Sequence, residues 1–281
     1  MHAPKILVFD SGLGGLTVLA HVTKLRPDAQ CLYVADDAGF PYGRLSAERL
    51  IERVNTVMDR LIARYAPDAV VIACNTASTL VLPHLRARFP KIPFIGTVPA
   101  IKPAAGFSQS KLISVLATPG TVSRDYTHDL VRTYAAHCEV ALVGSDSLAD
   151  LAEASMKGEK IADAVIAQEI APCFVTEGDR RTDCIVLACT HYPLLLDVFE
   201  RVAPWPVEWI DPADAIARRV DHVLQEAGMP LSLDHASERM GVRQHVAVFT
   251  SAGPTGTPLE AALAKYGLGK ILHEAMPLED S

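Results

Sequence analysis

The feature that most narrows what this chain can fold into is a series of short runs that are apolar at consecutive positions. "KILVFD", "QCLYVAD", "DAVVIAC" and "IPFIG" follow one another through the first 96 residues. A strand with one wet face alternates apolar and polar residues, whereas a continuous run is covered on both faces, as in a parallel sheet. The segments between the runs have helical spacing. "TVLAHVTKL" is closed by Pro27, and Ser46 is placed to cap a helix carrying Leu50, Val54, Val57, Met58, Leu61, Ile62 and Tyr65. A further helix is expected after Asn75, interrupted near Pro83. Strands alternating with helices predict an α/β fold with a doubly wound, parallel sheet.

"GTVPAIKPAAG" then brings two prolines and two glycines with little regular pattern, and reads as a crossing into a second domain. Beyond it the order starts again. "KLISVLAT", "CEVALVG", "CIVLAC" and "PVEWID" are strands, with helices expected over 123–137, 147–156, 160–174, after Pro193 and from Asp211 to Gln225. A poorly patterned stretch (229–244) precedes "HVAVFTSAG" and a C-terminal helix.

The second half repeats the first in detail. "VVIACNTAS" (70–78) and "IVLACTHYP" (185–193) are both apolar runs ending in Ala-Cys, and Cys189 follows Cys74 by 115 residues (189 − 74). "ILVFDSG" (6–12) lies opposite "SVLATPG" (114–120) at an offset of 108 (114 − 6), each ending in a hydroxyl and a glycine. Two pseudo-symmetric domains facing a central cleft are the simplest geometry. In parallel sheets ligands gather at the carboxyl ends of strands, where all four matched loops would lie, Thr118 among them.

A cysteine between a strand end and a helix N-terminus sits where amides and the helix dipole favour thiolate. An isolated cysteine of this kind is more often a core thiol; the duplication argues otherwise. Two such thiols on either side of a small ligand suit removal of a proton from one face of a carbon and its return to the other. Asp10 and His191 fall on the marked loops and are the nearest candidates to tune the thiols. Ser11, Asn75, Thr76 and Thr190 supply side-chain donors for a carboxylate, with the glycines of "DSGLGGLT" as a nest of backbone N–H groups. Each also reads as ordinary turn or cap chemistry.

Competing chemistries fit less well. A dinucleotide fingerprint needs glycine where Thr17 stands, and no P-loop occurs. Cys184, Cys189 and His191, with Cys173 upstream, do not have a usual zinc spacing. A Cys189–His191 hydrolase pair leaves Cys74 unexplained. A net charge of −7 without a Lys/Arg run argues against nucleic acid or an anionic membrane as partner. The lack of a signal-peptide pattern, and six cysteines in or beside apolar runs, point to a reducing cytoplasm.

"FDSGLGGLTVL", "ADDAGFPYG", "ACNTAS", "GTVPAIKPA", "ATPGTV" and "ACTHYPLL", in that order, resemble the glutamate racemases of the cofactor-independent aspartate/glutamate racemase superfamily over residues 6–211. The resemblance implies interconversion of L- and D-glutamate, feeding peptidoglycan synthesis and so cell-wall biogenesis and cell shape. It implies no pyridoxal phosphate and no metal. The family's two proton-transferring cysteines match Cys74 and Cys189, and its assisting acid/base groups match Asp10 and His191. Its substrate-binding pairs fall on Asp10–Ser11, Tyr42–Gly43, Asn75–Thr76 and Thr190–His191. A further family glutamate corresponds to Glu153, although the Pro-rich lead-in common in the family is missing from "LADLAEAS". The resemblance also implies a homodimer, and an N-terminal domain completed by the end of the chain: 1–97 plus 211–281, with 98–210 as the second domain. Some members are tuned by a peptidoglycan precursor and others bind DNA gyrase. A superfamily enzyme acting on aspartate, a one-cysteine decarboxylase, and an inactive dicarboxylate-binding protein remain as alternatives.

Overall fold

A computed structural model describes residues 3–232, 245–251 and 256–276. From the N-terminus these form β1 (Lys5–Asp10), α1 (Leu16–Leu25), β2 (Gln30–Ala35), α2 (Ala47–Tyr65), β3 (Ala69–Ile72), α3 (Asn75–Arg88) and β4 (Phe94–Gly96). Then come α4 (Ile101–Phe107), β5 (Leu112–Ala117), α5 (Pro119–Val122), α6 (Asp125–Tyr134), β6 (Glu139–Gly144), α7 (Leu148–Met156) and α8 (Asp163–Ile170). A small antiparallel hairpin, β7 (Thr176–Glu177) with β8 (Arg180–Arg181), precedes β9 (Cys184–Leu187), α9 (Leu196–Val202) and β10 (Glu208–Ile210). The chain closes with α10 (Ala213–Glu226), β11 (His245–Phe249), α11 (Thr257–Ala264) and β12 (Leu268–His273).

Two compact units result, Met1–Thr97 with Ala213–Ser281, and Val98–Pro212. The first holds a six-stranded sheet in the order β12-β11-β2-β1-β3-β4, parallel throughout. The second holds a four-stranded parallel sheet, β10-β9-β5-β6. Numbered within each unit, both contain the order second-first-third-fourth. Each therefore has a switch point beside its first strand, where parallel sheets open a crevice at the strands' carboxyl ends.

The central strands are buried on both faces: β1 is covered from Ile6 to Asp10, and β3, β5 and β9 along their whole length. The Ser46 hydroxyl accepts from the Arg49 N–H at the start of α2, and Ala66 in the left-handed region ends it. That helix lays Leu50, Val54, Val57, Met58 and Leu61 onto Leu7, Phe9, Val70 and Ile72. In the second unit Ile101, Ala104 and Ala105 of α4 join Ile113, Val115, Val186 and Ala188. The return segment is fastened by the buried Arg26, which donates to both oxygens of Asp28, to Asp221 on α10 and to the Met229 carbonyl.

Several sequence expectations need correction. Helix α3 runs through Pro83 unbroken, because burial of Ala77, Val81 and Leu85 offsets the missing hydrogen bond. The proline-rich crossing contains α4; Pro103 falls in its first turn, where an N–H has no intrahelical acceptor. The helix expected over 123–137 is α6, shorter at both ends, and a separate turn of helix, α5, precedes it across an extended Arg124, the two stitched by the Thr127 hydroxyl donating to the Thr121 carbonyl. The helix after Pro193 starts as a 3-10 turn, Tyr192–Leu195. Strand β12 follows the C-terminal helix, and 233–244 lie outside the described residues.

The repeat is also one residue tighter than motif matching suggests. Phe9 pairs with Ile72 in the first sheet and Leu116 with Leu187 in the second. This gives offsets of 107 (116 − 9) and 115 (187 − 72). The N–H of Ala73 donates to the Phe9 carbonyl and that of Ala188 to the Leu116 carbonyl, each at 2.8 Å. Ser11 is therefore the counterpart of Thr118, and Cys74 of Cys189, each two residues beyond a paired strand position.

Candidate active site

In the first unit the site is built on the carboxyl ends of β1 and β3. Asp10 is fully buried at the last position of β1, and its carboxylate accepts the Gly12 N–H at 3.2 Å. Gly15 lies against it: a Cβ there would stand 2.8 Å from the Asp10 Cβ and 3.2 Å from the Ala73 Cβ and the Tyr33 ring. The turn thus requires glycine by close packing. Ser11 is buried beside Asp10.

Cys74 occupies the N-cap position of α3, its carbonyl accepting the Ser78 N–H at 2.9 Å, and its side chain is 6% exposed. Asn75 and Thr76 open the helix, both buried. The Asn75 Oδ1 is a buried acceptor without a hydrogen-bond partner among the described residues. Such an atom in a strand-end crevice is what a ligand donor would satisfy. Tyr42 is buried in the same cluster as Cys74, whereas Gly43 is exposed. The Tyr42 hydroxyl donates to Asp36; burial first, then the Asp36 charge, holds the phenol well above its ordinary pKa.

The second unit repeats the plan with different chemistry. Cys189 lies two residues past β9 and is 8% exposed, with Thr190 and His191 also buried. His191 Nδ1 is 3.9 Å from the Cys189 Sγ, at the outer limit for a hydrogen bond to sulfur. Its Nε2 is 2.9 Å from Glu153 Oε1, the carboxylate being buried on α7. The structure thus joins Cys189, His191 and Glu153 in one line. Half-buried Thr118 stands at the N-cap position of α5, its hydroxyl 3.1 Å from that of Thr121. Where the first unit carries Asp10, the second has Ala117: the Asp10 carbonyl accepts the Asp36 N–H and the Ala117 carbonyl the Ser145 N–H. Where the second carries His191, two residues past its cysteine, the first has Thr76.

A model of the Asp/Glu/hydantoin racemase family matches residues 17–220. The chain belongs to that family. It is 55% identical to the glutamate racemase of Brucella anthropi over 249 residues, 89% of this chain and 87% of the relative. It is 57% identical to that of Brucella ovis over 219 residues, 78% and 79% of the two chains. The structure of Escherichia coli glutamate racemase in complex with L-glutamate and the activator UDP-MurNAc-ala matches with a TM-score of 0.86 at 36% identity, over 97% of this chain and 98% of that one.

Three of the other four cysteines of this racemase-family chain have the character of core thiols, and the fourth, Cys138, is half-buried. Burial pushes Cys31, Cys173 and Cys184 up to about 12. Cys184 starts β9 and Cys189 lies beyond its far end, five residues that span roughly 16 Å as strand, too far to share a metal ion. The sequence reading missed one group of buried polar residues. Asp36, fully buried at the end of β2, accepts from Tyr42, from Arg53 (Nε at 2.9 Å, and Nη2) and from the Thr250 hydroxyl at 2.6 Å. Its signal was available: Arg53 sits within the apolar stripe of α2, three residues after Leu50. No helix among the described residues is long and apolar enough to cross a membrane.

Proposed function

We propose that this protein is a glutamate racemase that inverts the α-carbon with two cysteines, one from each unit. The observation that carries the reading is the structural equivalence of Cys74 and Cys189, each two residues beyond the third strand at a sheet's switch point. The high identity to Brucella glutamate racemases supports glutamate as substrate.

In one direction a thiolate takes the α-proton while the opposing thiol gives its own proton to the other face of the carbon. The former thiolate ends as thiol and the former thiol as thiolate, and the reverse reaction exchanges the roles. Charge in the transition state spreads onto the α-carboxylate, so donors placed around it lower the barrier. Ser11, Asn75, Thr76, Thr118, Thr190, the Tyr42–Gly43 turn and the backbone N–H groups of the strand ends are assigned to the two carboxylates. Asp10 serves Cys74, while His191, held by Glu153, serves Cys189. On this assignment the pseudo-symmetry is broken where it matters: one thiol is served by a carboxylate and the other by an imidazole. Neither metal nor pyridoxal phosphate enters this scheme. We assign the protein to the cytoplasm as a homodimer, its product feeding peptidoglycan synthesis.

The test is exchange of the α-hydrogen with deuterated water, followed by NMR for L- and D-glutamate and for both aspartates. Glutamate of either hand should exchange and invert, and Cys74→Ala and Cys189→Ala should each abolish inversion. Near-normal turnover in either variant rules out the two-thiol scheme, and inversion of aspartate in preference to glutamate rules out the substrate.

A further inference from the structure

The line of groups running from Cys189 does not stop at Glu153. The second carboxylate oxygen, Oε2, lies 3.1 Å from the ammonium of Lys157, four residues on along the chain. Lys157 caps α7 with its own N–H, which donates to the carbonyls of Glu153 and Ala154 at 3.1 Å. Both its backbone and its side chain are therefore bound to residues of the turn that carries Glu153. Along this line the thiol, the imidazole and the carboxylate are buried, while the Lys157 side chain is 42% exposed.

The chemistry requires something at that place. For His191 to accept the thiol's proton, its Nδ1 must carry the lone pair, so the proton of the neutral ring must be on Nε2. That tautomer is favoured when Nε2 faces a pure acceptor, as an ionised Glu153 is and a protonated one is not. A carboxylate with a side chain only 8% exposed is disfavoured as the charged form by loss of water. A neighbouring cation restores the balance, and Lys157 Nζ is the cation the structure places on Oε2.

We propose that Lys157 is a positioning residue: its contact with Glu153 keeps the carboxylate ionised and thereby orients His191 toward the Cys189 thiol. The role in turnover rests on the racemase reading; the role in fixing the imidazole does not.

Two measurements separate these. In protein labelled with 15N-histidine, the His191 ring, assigned by His191→Gln, should be in the Nε2–H tautomer and should shift toward a mixture in Lys157→Met. Turnover of glutamate by Lys157→Met should fall by about tenfold in kcat with KM within about twofold, Lys157→Arg restoring most of it. Melting should move by no more than about 2 °C, since the Lys157 side chain is itself 42% exposed and i,i+4 ion pairs with a solvated partner contribute little to stability. An unchanged tautomer in Lys157→Met, an unchanged kcat in a wild-type-active background, or failure of Lys157→Arg to restore turnover each overturns the proposal. A tautomer shift in a protein whose wild type does not racemise glutamate overturns the racemase reading and leaves the Lys157 assignment standing.

Discussion

Replacing Arg53 by methionine tests how the first unit holds its Tyr42–Gly43 turn. The guanidinium is 6% exposed and makes two donor contacts to Asp36, itself fully buried. Met fills similar space and removes the charge, leaving a buried carboxylate with only the hydroxyls of Tyr42 and Thr250 among these donors. Stranding one member of such a pair costs about 3–5 kcal/mol. For a unit of this size that corresponds to a fall in Tm of roughly 6–20 °C. Tyr42→Phe and Thr250→Val each remove one neutral donor and should cost about 1 kcal/mol, or roughly 2–4 °C. Circular dichroism melts of the three variants at neutral pH give the comparison. The reasoning fails if Arg53→Met melts within a few degrees of wild type, or if either hydroxyl deletion costs more than loss of the guanidinium.

Three further outcomes are expected. Gly15→Ala puts a methyl 2.8 Å from the Asp10 Cβ, so stability should fall by about 1–3 kcal/mol and turnover by about 100-fold as the carboxylate is pushed aside; wild-type turnover in the folded variant would remove Asp10 from the mechanism. Burial works to raise the Asp183 carboxyl, but the Ser108 hydroxyl and the backbone N–H groups of Ser110 and Gln109 outweigh it and hold the group below its usual range. Its stabilisation is therefore present above the unfolded value of about 3.9 and lost as pH falls through the lower folded value. Asp183→Asn should accordingly destabilise at neutral pH and flatten the acid limb of a stability–pH curve; equal losses at neutral and strongly acid pH would contradict this. Iodoacetamide at about pH 7.5 should leave Cys31, Cys173 and Cys184 unlabelled in native protein, while Cys74 and Cys189 react and D-glutamate slows them. Peptide mass spectrometry reads the pattern, and labelling of the three core thiols ahead of the pair would refute it.

The parallel strands were legible because burial on both faces writes itself as unbroken apolar sequence, from "KILVFD" to "CIVLAC". The duplication of the Ala-Cys ends was legible for the same reason, being local. What depended on packing was not. Pro83 looks like a helix break until the buried row of Ala77, Val81 and Leu85 is in place. The alignment of "ILVFDSG" with "SVLATPG" followed matching glycines, whereas strand register is set by the hydrogen-bond ladder, which shifts the match by one residue. Asp10 and His191 were found from their loops, but the contact between His191 and Glu153 joins residues 38 apart in the chain, which spacing alone does not bring together. The hub at Asp36 draws on Tyr42, Arg53 and Thr250, the last of them 214 residues away.

Strand β11 lies beside β2, although 209 residues separate the end of one from the start of the other (245 − 35 − 1). During synthesis the ribosome must therefore deliver all of 98–212 before β2 acquires its second neighbour. The four strands of the smaller sheet all lie within that insert and wait for nothing that comes later. At about 5–20 residues per second, β2 stays a bare edge for roughly 7–30 s after β4 has been made. That interval is when a nascent chain is open to wrong pairing or to capture by a chaperone. The partners of Arg26 in the return segment, Asp221 and Met229, are made shortly before β11 closes it.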